Sequence, residues 1–358
     1  MYEARGAAGL EKRMSQPQSG GSRLRAYFEF IFAILYFFFA RAMARRAAQG
    51  LVPEQWTPLI EQMALVVLLV VGYALAGFWL DRQNWPMSAQ GLPRRQGWPV
   101  EAAMGMATGW GLAVVCVIPL MLAGGIAIVL QTQATAWAWL LADAVFFGLL
   151  ALGEEIAFRG YGFQRFADAV GPVGAVVAYA AFYAIVQAQV PGASKASIFV
   201  AIVLSMLLAT AYLRTRALWL SWGLNFGWKA SRALLFGLAV SGVNSHSPVV
   251  QGDPMGPFWV TGGGFGLDGS WVVFVVLLAA FPVVYRVTRE LDYRYNVPVI
   301  VPGGMAVDLD AAARRQHEAA MGPAEPTAPT LVTILPASAP VPVARTVEGT
   351  RNGTADSE

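Results

Sequence analysis

Charged residues and cysteine are scarce in this chain of 358 residues. Only 13% of the residues are charged, against about 25% in soluble globular proteins. The single cysteine, Cys116, lies inside an apolar run, which excludes a disulfide framework and a thiolate zinc site. The formal net charge is only +3, so we expect no nucleic acid among the partners.

Apolar residues make up most of the chain. Hydrophobic residues account for 56% of it, and the mean hydropathy is +0.52. We therefore predict an all-α polytopic membrane protein, a bundle of about seven or eight transmembrane helices. The lipid bilayer is then its predicted partner. The predicted spans are residues 27–43, 59–80, 105–130, 137–152, 171–188, 198–213, 218–238 and 270–285.

Composition divides the chain into three parts. Residues 1–26 are polar and are predicted to form a cytoplasmic N-terminus, and residues 27–301 are predicted to form the membrane domain. Residues 302–358 are rich in Pro, Ala and Thr without a helical period, which predicts a disordered cytoplasmic tail.

Arginine in the connecting segments predicts the orientation. The positive-inside rule places the segments 81–100, 159–170 and 214–217 and the C-terminus in the cytoplasm, while the 239–269 segment contains no Lys or Arg. The predominance of arginine over lysine is typical of a GC-rich bacterial genome, so we expect the inner (plasma) membrane of a bacterium.

One segment does not fit this alternation of charge. Arg41, Arg45 and Arg46 would lie on the non-cytoplasmic side if residues 27–43 span the membrane. That stretch is therefore either a short span or an interfacial helix.

Ionisable side chains inside predicted spans are candidate functional residues, because they are costly to bury in a membrane. Glu155 and Arg159 are four residues apart and can pair, and Asp143 lies about three turns before Glu154 on the same helical face. The candidates are Asp143, Glu154, Glu155, Arg159, Lys229 and Arg232.

Three segments resemble motifs of one protein family. Residues 153–160 (GEEIAFRG) resemble the EExxxR signature of the CPBP family of intramembrane proteases, which includes type II CAAX prenyl endopeptidases and bacteriocin-processing or immunity proteins. Residues 218–229 (LWLSWGLNFGWK) are similar to the family's third motif block, and residues 263–270 (GGFGLDGS) are similar to its Gly-rich entry into the last helix. The resemblance covers about residues 105–290, in the expected order.

The resemblance implies a set of site residues and a departure from the family pattern. In the family, a glutamate of the pair activates water, two histidines and an asparagine complete the site, and some descriptions add zinc. Here Gln187 and Asn225 replace the histidines and Lys229 replaces the asparagine. Amides accept no proton near neutral pH and bind transition metals poorly, so we expect no metal and no other cofactor. The implied catalytic positions are Glu154, Glu155, Arg159, Gln187, Asn225 and Lys229.

Three functions follow as alternatives. The first is an intramembrane endopeptidase that acts through Glu154 on a membrane-embedded or prenylated peptide, and the second is a pseudoprotease that keeps the fold as a membrane binding or scaffold protein. The third is a small transporter with a polar path of Asp143, Glu154 and Lys229. The chain has only two histidines, and we place His246 in a non-cytoplasmic loop and His317 in the tail, so neither replaces the lost pair.

Simpler structural roles compete with each catalytic assignment. Glu155 and Arg159 can form an ion pair at the helix end, and Glu154 can extend its carboxylate to the interface. Gln187 and Asn225 can form interhelical hydrogen bonds.

Depth along the helices predicts two ion pairs. With Arg159 and Leu218 taken as the cytoplasmic boundary, Lys229 reaches Glu154 and Arg232 matches Asp143 in depth. We also expect one polar pocket, open to the cytoplasmic half of the membrane, that joins Glu154, Gln187, Asn225 and Lys229.

Overall fold

The computed structural model describes residues 20–80, 87, 90–296, 299–300 and 306–307. The chain divides into two compact units, Met1–Val297 and Pro298–Glu358. Most of the predicted polar N-terminus and nearly all of the predicted tail, including His317, lie outside the described residues.

Helices dominate the first unit. They are α1 (Gly20–Leu51), α2 (Thr57–Trp79), α3 (Trp98–Leu122), α4 (Ala134–Arg159), α5 (Tyr161–Val170), α6 (Pro172–Ala188), α7 (Lys195–Thr215), α8 (Leu218–Ala230), α9 (Phe258–Thr261), α10 (Trp271–Val287) and α11 (Arg289–Asn296). A π-helical turn, Ser231–Leu235, continues α8, and 3₁₀ turns lie at Glu54–Trp56, Gly263–Phe265 and Leu267–Gly269.

The predicted membrane architecture is confirmed. Within the described residues, five helical stretches are long and apolar enough to cross a membrane, and α6 and α10 are shorter apolar helices. The five are Arg23–Leu51, Glu54–Trp79, Trp98–Leu122, Ala134–Val170 and Lys195–Thr215. The chain is an all-α polytopic membrane protein.

The third predicted span, residues 105–130, is wrong at both ends. The helix begins at Trp98 and ends at Leu122, since Gly124 adopts a φ of 74° that a continuing helix does not allow. Residues Ile126–Leu130 instead form strand β1, which pairs antiparallel with β2 (Val250–Pro254). The apolar, β-branched composition of β1 suits a strand as well as a span. In the second unit, β3 (Val299–Ile300) pairs antiparallel with β4 (Ala306–Val307).

Helix α1 contains the stretch 27–43, whose role the sequence left undecided. It packs antiparallel to α2, because the Tyr36 hydroxyl donates to Leu68 O at 2.6 Å and the Tyr73 hydroxyl donates to Ala33 O at 2.9 Å. Its 32 residues reach about 48 Å, more than the thickness of the hydrocarbon core. The stretch is therefore part of a helix that is long enough to span.

Helices α3 and α8 cross at very close range. Each carries two glycines four residues apart, Gly105 and Gly109 on α3 and Gly223 and Gly227 on α8. A Cβ atom added at any of the four would overlap the backbone of the facing helix. Small residues at this spacing let helix backbones approach each other in a membrane, so the crossing fixes the position of α8.

We predict that Gly227→Ala lowers stability, because the added methyl group forces α3 and α8 apart. Overpacking of this kind costs about 1–3 kcal/mol. Gly111→Ala is the matched control, since a Cβ there meets no atom within 4 Å. Thermal unfolding in detergent should show a lower midpoint for Gly227→Ala only, and equal midpoints for the two variants would contradict the close crossing.

Candidate functional site in the helix bundle

The Glu-Glu-Arg motif lies on the last two turns of α4, and two of its three charged side chains are fully buried. Glu155 and Arg159 are 0% and 1% exposed, and Arg159 Nη1 lies 3.0 Å from Glu155 Oε1. Arg159 Nη2 also donates to the carbonyl oxygen and the hydroxyl of Ser205, at 3.2 and 3.0 Å. Ser205 lies in the middle of α7, so the pair ties α4 to α7 at mid-bundle. The use of Arg159 as a boundary marker is therefore wrong, because the chain continues beyond Gly160 as α5.

Two side chains of α8 contact Glu154. Lys229 Nζ lies 3.2 Å from Glu154 Oε1, which confirms the predicted contact. Asn225 Nδ2 donates to Glu154 Oε2 at 2.9 Å and to Glu155 Oε1 at 3.1 Å. Both carboxylate oxygens of Glu154 are thus engaged, and the side chain of Glu154 is 18% exposed.

The sequence of α8 explains why these two residues face α4. Asn225 and Lys229 are one turn apart and share a face. The glycines that pack on α3 lie two residues away from them, at Gly223 and Gly227, which turns the two sets to opposite sides of the helix. One face of α8 therefore provides the close crossing, and the other carries the polar groups.

Gln187 lies near the end of α6 and does not join this cluster. It is half-buried, and no hydrogen bond connects it to Glu154, Asn225 or Lys229 among the described residues. Tyr183, one turn earlier, packs against the Phe158 ring at a centroid distance of 4.9 Å, which places Gln187 near the depth of the glutamates. Three of the four residues predicted to converge are in contact, and the common pocket stays a prediction.

The predicted pairing of Arg232 with Asp143 is wrong. Arg232 Nη1 lies 2.6 Å from Asp268 Oδ1, and the Ser241 hydroxyl donates to Asp268 Oδ2 at 2.8 Å. Arg232 lies in the π-helical turn after α8, which changes its direction relative to a straight helix, and it stacks on Trp228 at 4.1 Å.

Asp268 is a buried residue that the sequence analysis did not single out. It lies in the Gly-rich turn before α10, and the only signal for it was an acid inside that glycine run. Burial opposes its ionisation, but Arg232, Lys229 and its hydrogen bonds outweigh burial and hold the pKa of Asp268 below its usual value. The turn is thereby anchored to the end of α8.

Asp143 is paired with a loop instead of with Arg232. The backbone N–H groups of His246 and Ser247 donate to Asp143 Oδ2 at 2.7 and 2.8 Å, and His246 Nδ1 lies 2.9 Å from Asp143 Oδ1. The His246 ring also stacks on Trp139 at 5.8 Å. Asp143 is eleven residues from Glu154 on α4, about 16 Å, so His246 is held far from the glutamate pair.

The fold is that of a helical membrane protein with carboxylates buried between its helices, and comparison with known proteins shows what part of it is similar to. Residues 133–231 match the family model described as type II CAAX prenyl endopeptidase Rce1-like. This segment, which holds α4 to α8, is similar to the CPBP family of intramembrane proteases, and the match supports the resemblance of the Glu-Glu-Arg motif. It is shorter than the predicted core of about 105–290, so α3 and the Asp268 turn lie outside it. No curated protein and no solved structure matched the chain.

The residues around Glu154 do not fit a transition-metal site. Asn225 presents its Nδ2 donor to the carboxylates, and the Lys229 ammonium lies against Glu154 Oε1 where a cation would have to bind. Zinc sites in proteins use Cys, His and carboxylate ligands. The described part of the chain contains no group of three or more such residues that could hold a metal. The expectation of no bound metal stays a prediction.

We predict a strong energetic coupling between Lys229 and Glu154. Lys229→Met leaves a largely buried carboxylate without its cation and should cost on the order of 3 kcal/mol. Adding Glu154→Gln should recover part of that loss, which a double-mutant cycle of unfolding in detergent would measure. Lys195→Met is the matched control, because Lys195 is exposed. Strictly additive effects of the two substitutions would contradict the pair.

We also predict that Asp143 holds the loop around His246 in place. Asp143→Ala removes the acceptor of both backbone hydrogen bonds, so amide exchange at His246 and Ser247 should accelerate by at least tenfold, on the order of the 1.4 kcal/mol that one hydrogen bond contributes. Ser245→Ala is the control, since the Ser245 hydroxyl makes only a 3.5 Å bond to Ser247 O. Unchanged exchange in Asp143→Ala would show that the loop is held by other contacts.

Proposed function

We propose that this protein is a catalytically degenerate CAAX-type intramembrane protease, a pseudoprotease that serves as a membrane binding or scaffold protein. The proposal rests on the contacts that engage both carboxylate oxygens of Glu154. Its Oε1 lies 3.2 Å from the Lys229 ammonium, and its Oε2 accepts from Asn225 at 2.9 Å. A general base must accept a proton from water at a free lone pair, and a carboxylate paired with a cation is a weaker base.

The replacement residues support the same conclusion. Amides stand at both positions where the family carries histidine, and an amide does not take up a proton near neutral pH. At the third position Lys229 replaces the family's asparagine, and its ammonium has three hydrogen-bond donors and no acceptor. A proton released from water at this site would therefore have no imidazole to receive it.

The intact parts of the motif favour a binding role. Glu155 and Arg159 are fully buried, and their hydrogen bonds to Asn225 and Ser205 connect α4 with α8 and α7. These contacts stabilise the bundle around Glu154. Glu154 remains partly exposed at its edge. We propose that a membrane-embedded or prenylated peptide is the partner, bound without cleavage.

The same proposal includes a location. The protein would lie in the inner (plasma) membrane of a bacterium with its C-terminus in the cytoplasm. Arg214 and Arg286 lie in the last turns of α7 and α10, and Arg289 begins α11. Arg214 Nε donates to Thr288 Oγ1 at 2.6 Å, so the three arginines lie at one end of the bundle, and the positive-inside rule supports this orientation.

An active endopeptidase is the second candidate, and one atom favours it. Asn225 Oδ1 is buried and accepts no hydrogen bond from a described residue. Asn225 Oδ1 could accept a hydrogen bond from a water molecule beside Glu154. Glu154 would then have to break its contact with Lys229 before it could take a proton from that water.

Cleavage of a prenylated CAAX peptide by the reconstituted protein separates the two candidates. We predict that the native chain cleaves no faster than Glu154→Ala. Restoring the family residues through Gln187→His, Asn225→His and Lys229→Asn together should give cleavage that Glu154→Ala abolishes again, because a proton acceptor is then present. Cleavage by the native chain that disappears in Glu154→Ala would overturn the pseudoprotease proposal.

A further inference from the structure

Three arginines on α1 have no role in the bundle described so far. Arg41, Arg45 and Arg46 are exposed, and none of them makes a hydrogen bond or an ion pair with a described residue. Residues 30–51 contain no Asp or Glu, so this part of α1 supplies no counter-charge. Glu61 of α2 is half-buried and forms no ion pair with them.

The position of these arginines along α1 matches the thickness of a bilayer. Arg25, near the start of α1, donates to the backbone carbonyl of Leu80 at the far end of α2. Arg46 follows 21 residues later, about 31 Å along the helix axis, and the hydrocarbon core is about 30 Å thick. Arg45 and Arg46 therefore lie at the head-group level of the opposite leaflet, with Arg41 about one turn deeper.

An apolar face leads directly to the arginines. Ile31, Leu35 and Phe38 are 50%, 64% and 42% exposed on α1. At about 100° per residue, Arg45 lies within about 40° of Ile31 and Phe38, and Arg46 lies within about 20° of Leu35. The two arginines thus lie on either side of the apolar face at its end. The phosphate of a lipid whose acyl chains cover that face would lie at the same end.

We propose that Arg41, Arg45 and Arg46 bind the phosphate of an anionic phospholipid whose acyl chains lie on the face of Ile31, Leu35 and Phe38. Guanidinium groups bind phosphate oxygens through paired N–H donors, which suits arginine better than lysine. Three positive charges without a partner among the described residues complement a lipid of net negative charge better than a zwitterionic one. The site also accounts for arginines at the end of α1 where the charge alternation predicts none.

Native mass spectrometry of the full chain with equal amounts of phosphatidylglycerol and phosphatidylcholine tests the site. The native chain should retain phosphatidylglycerol at least tenfold more than phosphatidylcholine of the same acyl length, since three basic residues together attract an anionic head group. Arg41→Gln, Arg45→Gln and Arg46→Gln together should bring the two lipids to parity. Arg286→Gln with Arg289→Gln, at the other end of the bundle, is the control and should keep the preference.

Two further measurements distinguish a lipid phosphate from free phosphate and separate a loss of charge from misfolding of the variant. Inorganic phosphate should not displace the lipid, because it lacks the acyl chains, and complete displacement would overturn the proposal. The three arginines changed to lysine keep the charge and should show a preference that is weaker but present. An undiminished preference in the glutamine variant, or an equal loss in the control, would also overturn the proposal.

Discussion

A charge in the middle of a membrane bundle is tolerated only with an opposite charge beside it, and this constraint organises the centre of the molecule. Glu154 and Glu155 bring two carboxylates to the end of α4, and Arg159 and Lys229 bring two cations within 3.2 Å of them. Asn225 joins the two carboxylates through one amide group. The formal charges of the cluster, two negative and two positive, balance, which lets four ionisable side chains lie inside an apolar bundle.

This balance depends on the placement of α8. Gly223 and Gly227 bring its backbone against α3, and the opposite face then carries Asn225 and Lys229 to α4. A larger residue at the crossing would move Lys229 away from Glu154, so packing and electrostatics are linked in one helix. The contact with Glu154 stabilises the buried ammonium of Lys229. The same contact occupies the carboxylate that a protease would need as its base.

Much of this arrangement could be predicted from the sequence. The spans follow from apolar runs, and the Lys229–Glu154 contact could be predicted because both residues lie within continuous helices, α4 and α8. The failures share a cause. Arg232 and Asp143 both pair with residues in the 239–269 segment, and the path of a loop back into the bundle is a tertiary property. The end of the 105–130 run became a strand for the same reason, since its partner β2 is more than 100 residues away.

The ionisation state of Glu154 in a bilayer tests the central claim most directly. Infrared difference spectra between the native chain and Glu154→Gln, recorded in nanodiscs at neutral pH, isolate the absorption of this one side chain. The Lys229 and Asn225 contacts predict an ionised carboxylate in the native chain, and they predict that Lys229→Met converts it to a protonated acid. A protonated Glu154 in the native chain, or a carboxylate unchanged by the loss of Lys229, would contradict the account.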